Sequence, residues 1–241
     1  MNATPRKISS KAKFVFLFDV DNTLLNNDAV TGDIRDYLER EVGHQRNKKY
    51  WEIFERLRSS LGYADYLGAL QTYRRDYPHD LHLLKLSRFL INYPFANRLY
   101  PGSLDAIHHA KKWGPVALLS DGDVVFQPRK VERSSLLEVV EGRAMIYVHK
   151  EKELKDVERR HPAHHYVLID DKLRILTAVK NIWRTRVTTV FVRQGHYALD
   201  PKILAKYPPA DVDIQSIGDI VKLELEELVC GRATTPRHKS R

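Results

Sequence analysis

The sequence predicts an α/β fold with three layers, in which helices cover both faces of a parallel sheet. The first observation is an unbroken apolar run from Phe14 to Phe18, which is typical of a strand buried on both faces. The second is that similar runs recur and alternate with helical patterns, so that crossover helices would make the strands parallel. These later runs are Val116–Leu119, Ala144–Val148, Tyr166–Ile169 and Val187–Val192.

Small polar or charged residues follow the first four of these runs. They are Asp19 and Asp21, then Ser120, Asp121 and Gly122, then Lys150, and finally Asp170 and Asp171. Because ligands of open α/β sheets bind outside the carboxyl ends of the strands, we expect these residues to converge at one edge. Carboxylates are hard ligands suited to Mg²⁺, and a lysine suits anionic oxygens, so the set indicates a cation and phosphate site. For Asp19 and Asp21 alone, a strand followed by an Asx-type turn is the alternative.

The composition agrees with a globular protein of one or two domains. The chain has 241 residues, of which 43% are hydrophobic, and it contains a single cysteine, Cys230. An intramolecular disulfide is therefore excluded, and a reducing compartment is expected. No apolar run approaches the length of a membrane span, and the start of the chain lacks the apolar segment of a signal peptide. We expect a soluble cytoplasmic protein with no membrane partner.

The net charge of +9 is concentrated at the two ends of the chain. Residues 1–13 and 231–241 hold eight of the 40 Lys and Arg residues and no acidic residue, which leaves 32 basic and 31 acidic residues elsewhere. We therefore predict two solvated basic tails and no specific nucleic-acid partner. Weak attraction of the tails to polyanions is the alternative.

Residues 26–98 have helical rather than strand periodicity. Four amphipathic helices are predicted, at 33–42, 46–60, 62–75 and 80–92. The aromatic stripe of the third is interpreted as core packing. Six basic residues are candidates to face a substrate, although most are expected on a solvated helix face: Lys48, Lys49, Arg56, Arg58, Arg74 and Arg75.

Together, these motifs resemble those of the haloacid dehalogenase superfamily. The resemblance rests on Asp19-Val-Asp21-Asn-Thr23, on the apolar run ending in Ser120, on Lys150, and on Ile169-Asp170-Asp171, in the family's order. It covers residues 14 to about 195, and it implies a Rossmann-like core with a helical cap inserted after the first motif. One departure is Asn22, where the family most often has Gly; Asn tolerates the left-handed conformation that such a turn needs.

The second aspartate favours the phosphatase branch of this family. A halide leaving group needs no acid, and the family's dehalogenases characteristically lack an Asp two places after the nucleophile. By resemblance, Asp19 is the nucleophile that forms an aspartyl-phosphate and Asp21 is the acid and base. The expected activity is Mg²⁺-dependent hydrolysis of a small phosphorylated metabolite. A phosphotransferase or phosphomutase, and a non-catalytic phosphoryl-binding module, are the alternatives.

The remaining site residues are assigned from the same resemblance. Ser120 and Lys150 complete the catalytic set. The substrate phosphate would be bound by Thr23, Ser120, Asp121, Gly122 and Lys150. The metal would be held by Asp19, Asp21 (through its backbone carbonyl), Asp170 and Asp171.

The implied domains are a core of 1–25 and 99–230, a cap of 26–98 and a basic tail of 231–241. Three histidines, His161, His164 and His165, are interpreted as surface loop residues at the opposite edge of the sheet, without a metal. The segment Arg193–Tyr197 either borders the substrate entrance or only turns the chain.

Overall fold

The centre of the molecule is a six-stranded parallel sheet. The computed structural model describes residues 11–224. The strands are β1 (Ala12–Phe18), β2 (Val116–Asp121), β3 (Ala144–Tyr147), β4 (Ala163–Asp170), β5 (Val187–Val192) and β6 (Val212–Ile214). Their order across the sheet is β3-β2-β1-β4-β5-β6, and every neighbouring pair is parallel. The predicted α/β fold is confirmed.

The apolar run of β1 is continuous because both faces of the sheet are covered. Phe14, Phe16 and Phe18 belong to the core on one face, and Val15 and Leu17 belong to the core on the other. Side chains alternate between the faces of a strand, so a strand buried on both needs apolar residues at every position. This places β1, and the acids that follow it, in the middle of the sheet.

Helices form the outer two layers. Helix α5 (Ser103–Lys111) precedes β2 in the chain. The helices that follow β2 are α6 (Phe126–Arg133), α7 (Leu136–Val139), α8 (Leu154–Arg160), α9 (Leu173–Trp183), α10 (Gly195–Leu199) and α11 (Pro201–Leu204). Residues of α5, α6 and α7 pack into the first core, and those of α8 and α9 pack into the second. Within residues 11–224 no helix combines the length and the apolar character needed to cross a membrane.

Four helices lie between β1 and α5, as predicted. They are α1 (Asn27–Val42), α2 (His44–Leu61), α3 (Tyr66–Asp76) and α4 (Leu83–Asn92). Helix α1 starts earlier than the predicted residue 33, because the Asn26 side chain accepts the Ala29 amide and caps it. Helix α3 starts later than predicted, because Asp65 caps it in the same way through Gly68. Tyr66 and Tyr73 of the aromatic stripe are buried, as expected of core residues, but Tyr66 also lines the cavity described below.

This four-helix insertion leaves and re-enters the sheet at one place. Leu25 and Leu99 form an isolated bridge, and the Tyr100 amide donates to the Leu24 carbonyl at 2.9 Å. The two ends of the insertion are therefore adjacent. The exact domain limits stay a prediction, and the predicted tail 231–241 lies outside the described residues.

Two details differ from the sequence prediction. The short strand β6 was not predicted, and β4 begins at Ala163, so His164 and His165 lie in a strand rather than in a loop. The His165 Nε2 lies 2.9 Å from the Thr188 hydroxyl on β5, and burial lowers the pKa of His165. The histidines nevertheless stay at the amino end of β4, away from the acids.

Candidate active site

The loop after β1 places Asp19 at the carboxyl edge of the sheet. The Asp19 amide continues the ladder by donating to the Ile169 carbonyl of β4 at 2.9 Å. Asn22 has a φ of 61°, so the chain turns through the left-handed conformation foreseen for this residue. The Asn22 amide group donates to Asp28 at 3.0 Å and accepts the Asp28 backbone amide at 3.2 Å. The turn is thereby tied to the start of α1.

Lys150 joins the acids of two strands. Its ammonium lies 2.5 Å from Asp19 Oδ1 and 2.7 Å from Asp170 Oδ2, and it donates to the Leu119 carbonyl at 3.1 Å. Lys150, Asp19 and Asp170 are all essentially inaccessible to solvent. Burial alone would lower the pKa of Lys150, but the charges of Asp170 and Asp19 raise it above its usual value. Lys150 therefore stays charged and compensates two buried carboxylates.

Asp171 has no such compensation. It is completely buried, and neither carboxylate oxygen has a hydrogen-bond partner among residues 11–224. Burial, with repulsion from Asp170 and Asp19, raises the pKa of Asp171 well above its usual value, despite the opposing charge of Lys172. A buried carboxylate without a partner is costly, so this geometry calls for a cation.

A divalent metal fits these residues. One oxygen from each of Asp19, Asp170 and Asp171 lies within 4.8 Å of the others. Oxygen-only donors with a net negative charge match Mg²⁺ better than softer metals. The side chain of Asp21 does not belong to this cluster, so only its backbone carbonyl remains a predicted ligand.

Ser120 and Asp121 are the last two residues of β2, and Gly122 follows them. The Ser120 hydroxyl is buried, accepts a hydrogen bond from Gln127 Nε2 at 3.0 Å and donates to the Asp121 carbonyl at 3.3 Å. The Asp121 carboxylate accepts the Lys150 amide at 2.7 Å, which fixes the loop that carries Lys150. The Gly122 amide donates to the Tyr147 carbonyl, so it would have to exchange that bond to receive a phosphoryl oxygen.

Thr23 contacts Asp19, the predicted nucleophile, directly. Its buried hydroxyl donates to Asp19 Oδ2 at 3.4 Å, while Lys150 holds the other oxygen. In this structure Thr23 therefore contacts Asp19, and its predicted contact with a substrate phosphate stays a prediction.

Asp21 faces a different partner. Its Oδ1 lies 2.6 Å from the ammonium of Lys130, which also donates to Asn27 Oδ1 at 2.9 Å. Asp21 Oδ2 has no hydrogen-bond partner among the described residues, and the Asp21 side chain lines a cavity that Asp19, Asp170 and Asp171 do not line. The two aspartates of the first motif are thus separated, one toward the buried acids and one toward the cavity.

The cavity has a volume of about 740 Å³ and lies between the sheet edge and helices α1 and α2. Its walls combine aromatic rings with charged groups, including Phe54, Tyr63, Tyr66, Arg58, Lys130 and Lys172. Of the six basic candidates in the helical segment, Arg58 alone lines this cavity. The space is far larger than a phosphate group and is within the usual volume range of small-molecule pockets.

The segment after β5 forms part of the cavity wall. His196 hydrogen-bonds to Asp28 through its ring at 2.6 Å and through its backbone amide at 2.8 Å. The Tyr197 hydroxyl accepts a hydrogen bond from Arg58. The centroid of the Tyr197 ring lies 5.3 Å from the ammonium of Lys172. Of the two interpretations of this segment, the structure places it at the border of the cavity. It also turns the chain, since Gly195 has a φ of 72° and an added Cβ would collide with Asn22.

Sequence reasoning missed Lys130, Gln127 and Lys172. Lys130 and Gln127 are three residues apart in the helix after Ser120, so a shared helix face was available as a signal. Lys172 directly follows the predicted acids in the sequence. Burial alone would lower the pKa of Lys172, but the charges of Asp171 and Asp19 raise it above its usual value.

A parallel sheet with buried acids and a lysine at its carboxyl edge, below a helical insertion, defines an α/β protein with a candidate cation site. Comparison with solved structures identifies the family. The chain is 59% identical to a haloacid dehalogenase-like hydrolase from Burkholderia xenovorans, with a TM-score of 0.85, over 88% of this chain and 99% of that one. The chain therefore belongs to the haloacid dehalogenase-like hydrolases.

More distant structures share the fold alone. A HAD-family hydrolase from Bacillus subtilis, bound to magnesium, is 17% identical with a TM-score of 0.58, over 88% of this chain and 100% of that one. The L-2-haloacid dehalogenase from Xanthobacter autotrophicus is 17% identical with a TM-score of 0.56, over 92% and 100%. No family model and no curated protein sequence matches the chain.

Proposed function

We propose that this hydrolase is a Mg²⁺-dependent phosphatase that acts on a small phosphorylated metabolite through an aspartyl-phosphate on Asp19. The observation that carries the proposal is that Asp19 and Asp21 have different contacts and face different parts of the site. Asp19 is held by Lys150 and Thr23 beside the acidic cluster, and Asp21 faces the cavity with one free oxygen. A nucleophile and an acid, two residues apart, are what ester cleavage needs.

In the first half-reaction an oxygen of Asp19 attacks the phosphorus of the ester. The bond from phosphorus to the ester oxygen breaks, and Asp21 gives that oxygen a proton, so that an alcohol leaves. In the second half-reaction a water molecule attacks the aspartyl-phosphate and gives its proton to Asp21. Inorganic phosphate leaves, and Asp19 and Asp21 return to their starting states.

The remaining residues supply charge and position. Lys150 would neutralise part of the phosphoryl charge, and the Ser120 hydroxyl would bind a phosphoryl oxygen. Asp19, Asp171 and the Asp21 carbonyl would hold Mg²⁺, with Asp170 in support. When bound, the metal supplies the positive charge that lets a carboxylate approach a phosphate dianion.

Carbon–halogen cleavage is the competing reaction, because dehalogenases are among the proteins with a similar fold. A halide leaves without a proton, so such a reaction gives Asp21 no task. It also gives no task to Asp171, a buried carboxylate whose two oxygens have no partner among the described residues. These two acids favour the phosphatase. A phosphotransferase or phosphomutase would use the same residues and differ in excluding water, whereas a non-catalytic module would not need Asp21.

The cavity supports a substrate with a sizeable leaving group. Its aromatic wall would pack against the apolar part of that group, and Arg58 would bind a second anionic group if one is present. No nucleic acid and no membrane partner are part of this proposal.

The test is a screen of the purified protein against phosphorylated metabolites and 2-haloacids, with Mg²⁺ and with EDTA. We expect phosphate release that EDTA abolishes and no halide release. Asp19→Asn should lose activity by about 10⁴-fold or more, and Asp21→Asn by about 10²–10⁴-fold. After acid quenching, mass spectrometry should find a phosphate adduct on Asp19 in Asp21→Asn. Full activity in Asp19→Asn, or an adduct on another residue, would show that the mechanism is wrong.

A further inference from the structure

Helix α6 carries two buried polar side chains that point at the proposed catalytic residues. Gln127 and Lys130 are 3% and 1% exposed, and three residues apart they share one face of the helix. Gln127 donates to Ser120 at 3.0 Å, and Lys130 donates to Asp21 at 2.6 Å. Each therefore contacts one of the two groups assigned to phosphate binding and to leaving-group protonation.

Packing does not explain why a lysine occupies position 130. Burying an ammonium destabilises the fold unless the ammonium is paired, and an apolar side chain of similar size is often as stable. The neighbours on α6, Phe126 and Val131, are buried apolar residues of the core. An aliphatic residue at position 130 would extend that core. The lysine instead forms an ion pair with Asp21, whose side chain lines the cavity.

The contact restricts Asp21. The ammonium of Lys130 is fixed by Asn27 Oδ1 at 2.9 Å as well as by Asp21 Oδ1. With Oδ1 occupied, the exchange of a proton with an ester or with water falls to Oδ2. The side chain of Asp21 thus has one defined orientation before a substrate arrives.

The contact of Gln127 restricts Ser120 in the same manner. An amide that donates to the Ser120 oxygen leaves the hydroxyl hydrogen to be donated elsewhere. In this structure that hydrogen goes to the Asp121 carbonyl at 3.3 Å, which is a long bond. A phosphoryl oxygen is a stronger acceptor and would take its place.

We infer that Lys130 and Gln127 are positioning residues, Lys130 for the acid Asp21 and Gln127 for the phosphate-binding hydroxyl of Ser120. The inference rests on the proposed phosphatase function. It predicts different kinetic signatures for the two residues, because Asp21 acts on the leaving group whereas Ser120 acts on the phosphoryl group.

The experiment compares p-nitrophenyl phosphate, whose leaving group needs little protonation, with benzyl phosphate, whose leaving group needs much. The parameter is kcat/KM, which reports formation of the aspartyl-phosphate. In Lys130→Met we expect kcat/KM for benzyl phosphate to fall at least about 10-fold more than for p-nitrophenyl phosphate, within the range of a general acid. Lys130→Arg, which keeps the charge, should restore part of that difference.

For Gln127→Leu we expect kcat/KM to fall equally for both esters. The inhibition constant of inorganic phosphate should rise about 5–10-fold, the value of one neutral hydrogen bond. Each variant is thus the control for the other. Lys180→Met is a control for the loss of a paired lysine away from the cavity, because Lys180 donates to Asp211 and to the Val187 carbonyl, although its side chain is more exposed than that of Lys130. It should change neither measurement.

Thermal melting establishes that each variant is folded, and Lys130→Gln is measured if Lys130→Met does not fold. Equal losses on both esters in the Lys130 variant, or an unchanged phosphate constant in Gln127→Leu, would overturn the inference while the phosphatase function stands. A wild-type protein that hydrolyses neither ester would overturn the function and the inference together.

Discussion

The carboxyl edge of the sheet and the helical insertion above it differ in how deeply their ion pairs are buried. At the sheet edge, Asp19, Lys150 and Asp170 are buried together and satisfy one another. In the insertion, ion pairs such as Arg98 with Asp33 are partly exposed, and aromatic rings fill the interior. The hydrogen bonds between neighbouring strands fix the strand ends, so buried charges there have defined positions. Burial of these charges lowers the stability of the fold. The helices supply the volume and outline of the cavity instead.

Among the substitutions that compare the two regions, Lys150→Met at the sheet edge should have the largest effect on kcat. It leaves Asp19 and Asp170 buried without their shared cation, and it removes a charge from the phosphoryl site. We expect kcat for phosphate esters to fall about 10²–10³-fold or more. Steady-state kinetics with saturating Mg²⁺ measures this loss. Turnover within threefold of the wild type would show that the edge does not depend on its buried cation.

Asp171→Asn should weaken Mg²⁺ binding by about 100-fold or more, since even outer-shell partners of a metal contribute about 10–100-fold. The same variant should unfold at higher temperature than the wild type in EDTA, because it removes a buried charge that has no protein partner. Isothermal titration calorimetry and thermal melting measure the two effects. Undiminished Mg²⁺ affinity would remove Asp171 from the metal site.

Asp80 is the corresponding buried carboxylate in the insertion, and it should behave in the opposite way. It accepts hydrogen bonds from Arg46, Tyr73 and His82. Asp80→Ala should therefore lower the free energy of unfolding by about 2–4 kcal/mol and leave Mg²⁺ affinity unchanged. Denaturant unfolding and calorimetry test this contrast; a stabilised Asp80→Ala would contradict it.

The same carboxylate predicts a dependence on pH. Burial alone would raise the pKa of Asp80, but its hydrogen bonds with His82 and Tyr73 and the charge of Arg46 lower it below its usual value. A lowered folded pKa stabilises the protein above the unfolded pKa, about 4, and this contribution is lost as the pH falls through the folded pKa. Asp80→Asn should flatten the acid limb of the stability profile, as measured by unfolding between about pH 6 and pH 2.

Tyr197→Phe should have the smallest effect. It removes the hydroxyl that accepts a hydrogen bond from Arg58 across the cavity wall, while the ring and its packing remain. We expect KM for a bulky ester to change about 2–5-fold, in keeping with one partly exposed hydrogen bond, with kcat nearly constant. A large fall in kcat would mean that this wall takes part in the chemistry.

The sheet edge was largely predictable from the sequence, because strand ends of a parallel sheet must meet and the acids follow the strands directly. Asp19, Lys150, Asp170 and Asp171 are brought together as expected. The partners from helices were not predictable to the same degree. Lys130 contacts Asp21, which is far from it in the sequence. The spacing of Gln127 and Lys130 indicates a shared helix face, but it does not say that this face is buried against the first motif. Helix starts shifted because single capping side chains, such as Asn26, decided them.

The junction between Leu25 and Leu99 has a consequence for the history and redesign of this protein. The insertion begins and ends at neighbouring backbone positions. In terms of connectivity, it is therefore one long connection between two adjacent points of the core. The entropy of closing a loop grows only with the logarithm of its length, by about 0.6 kcal/mol per doubling. As far as chain connectivity is concerned, a coding segment of another length could replace this one between the same two codons without changing the path of the strands. Its product would also have to cover the apolar side chains that the insertion now shares with the core.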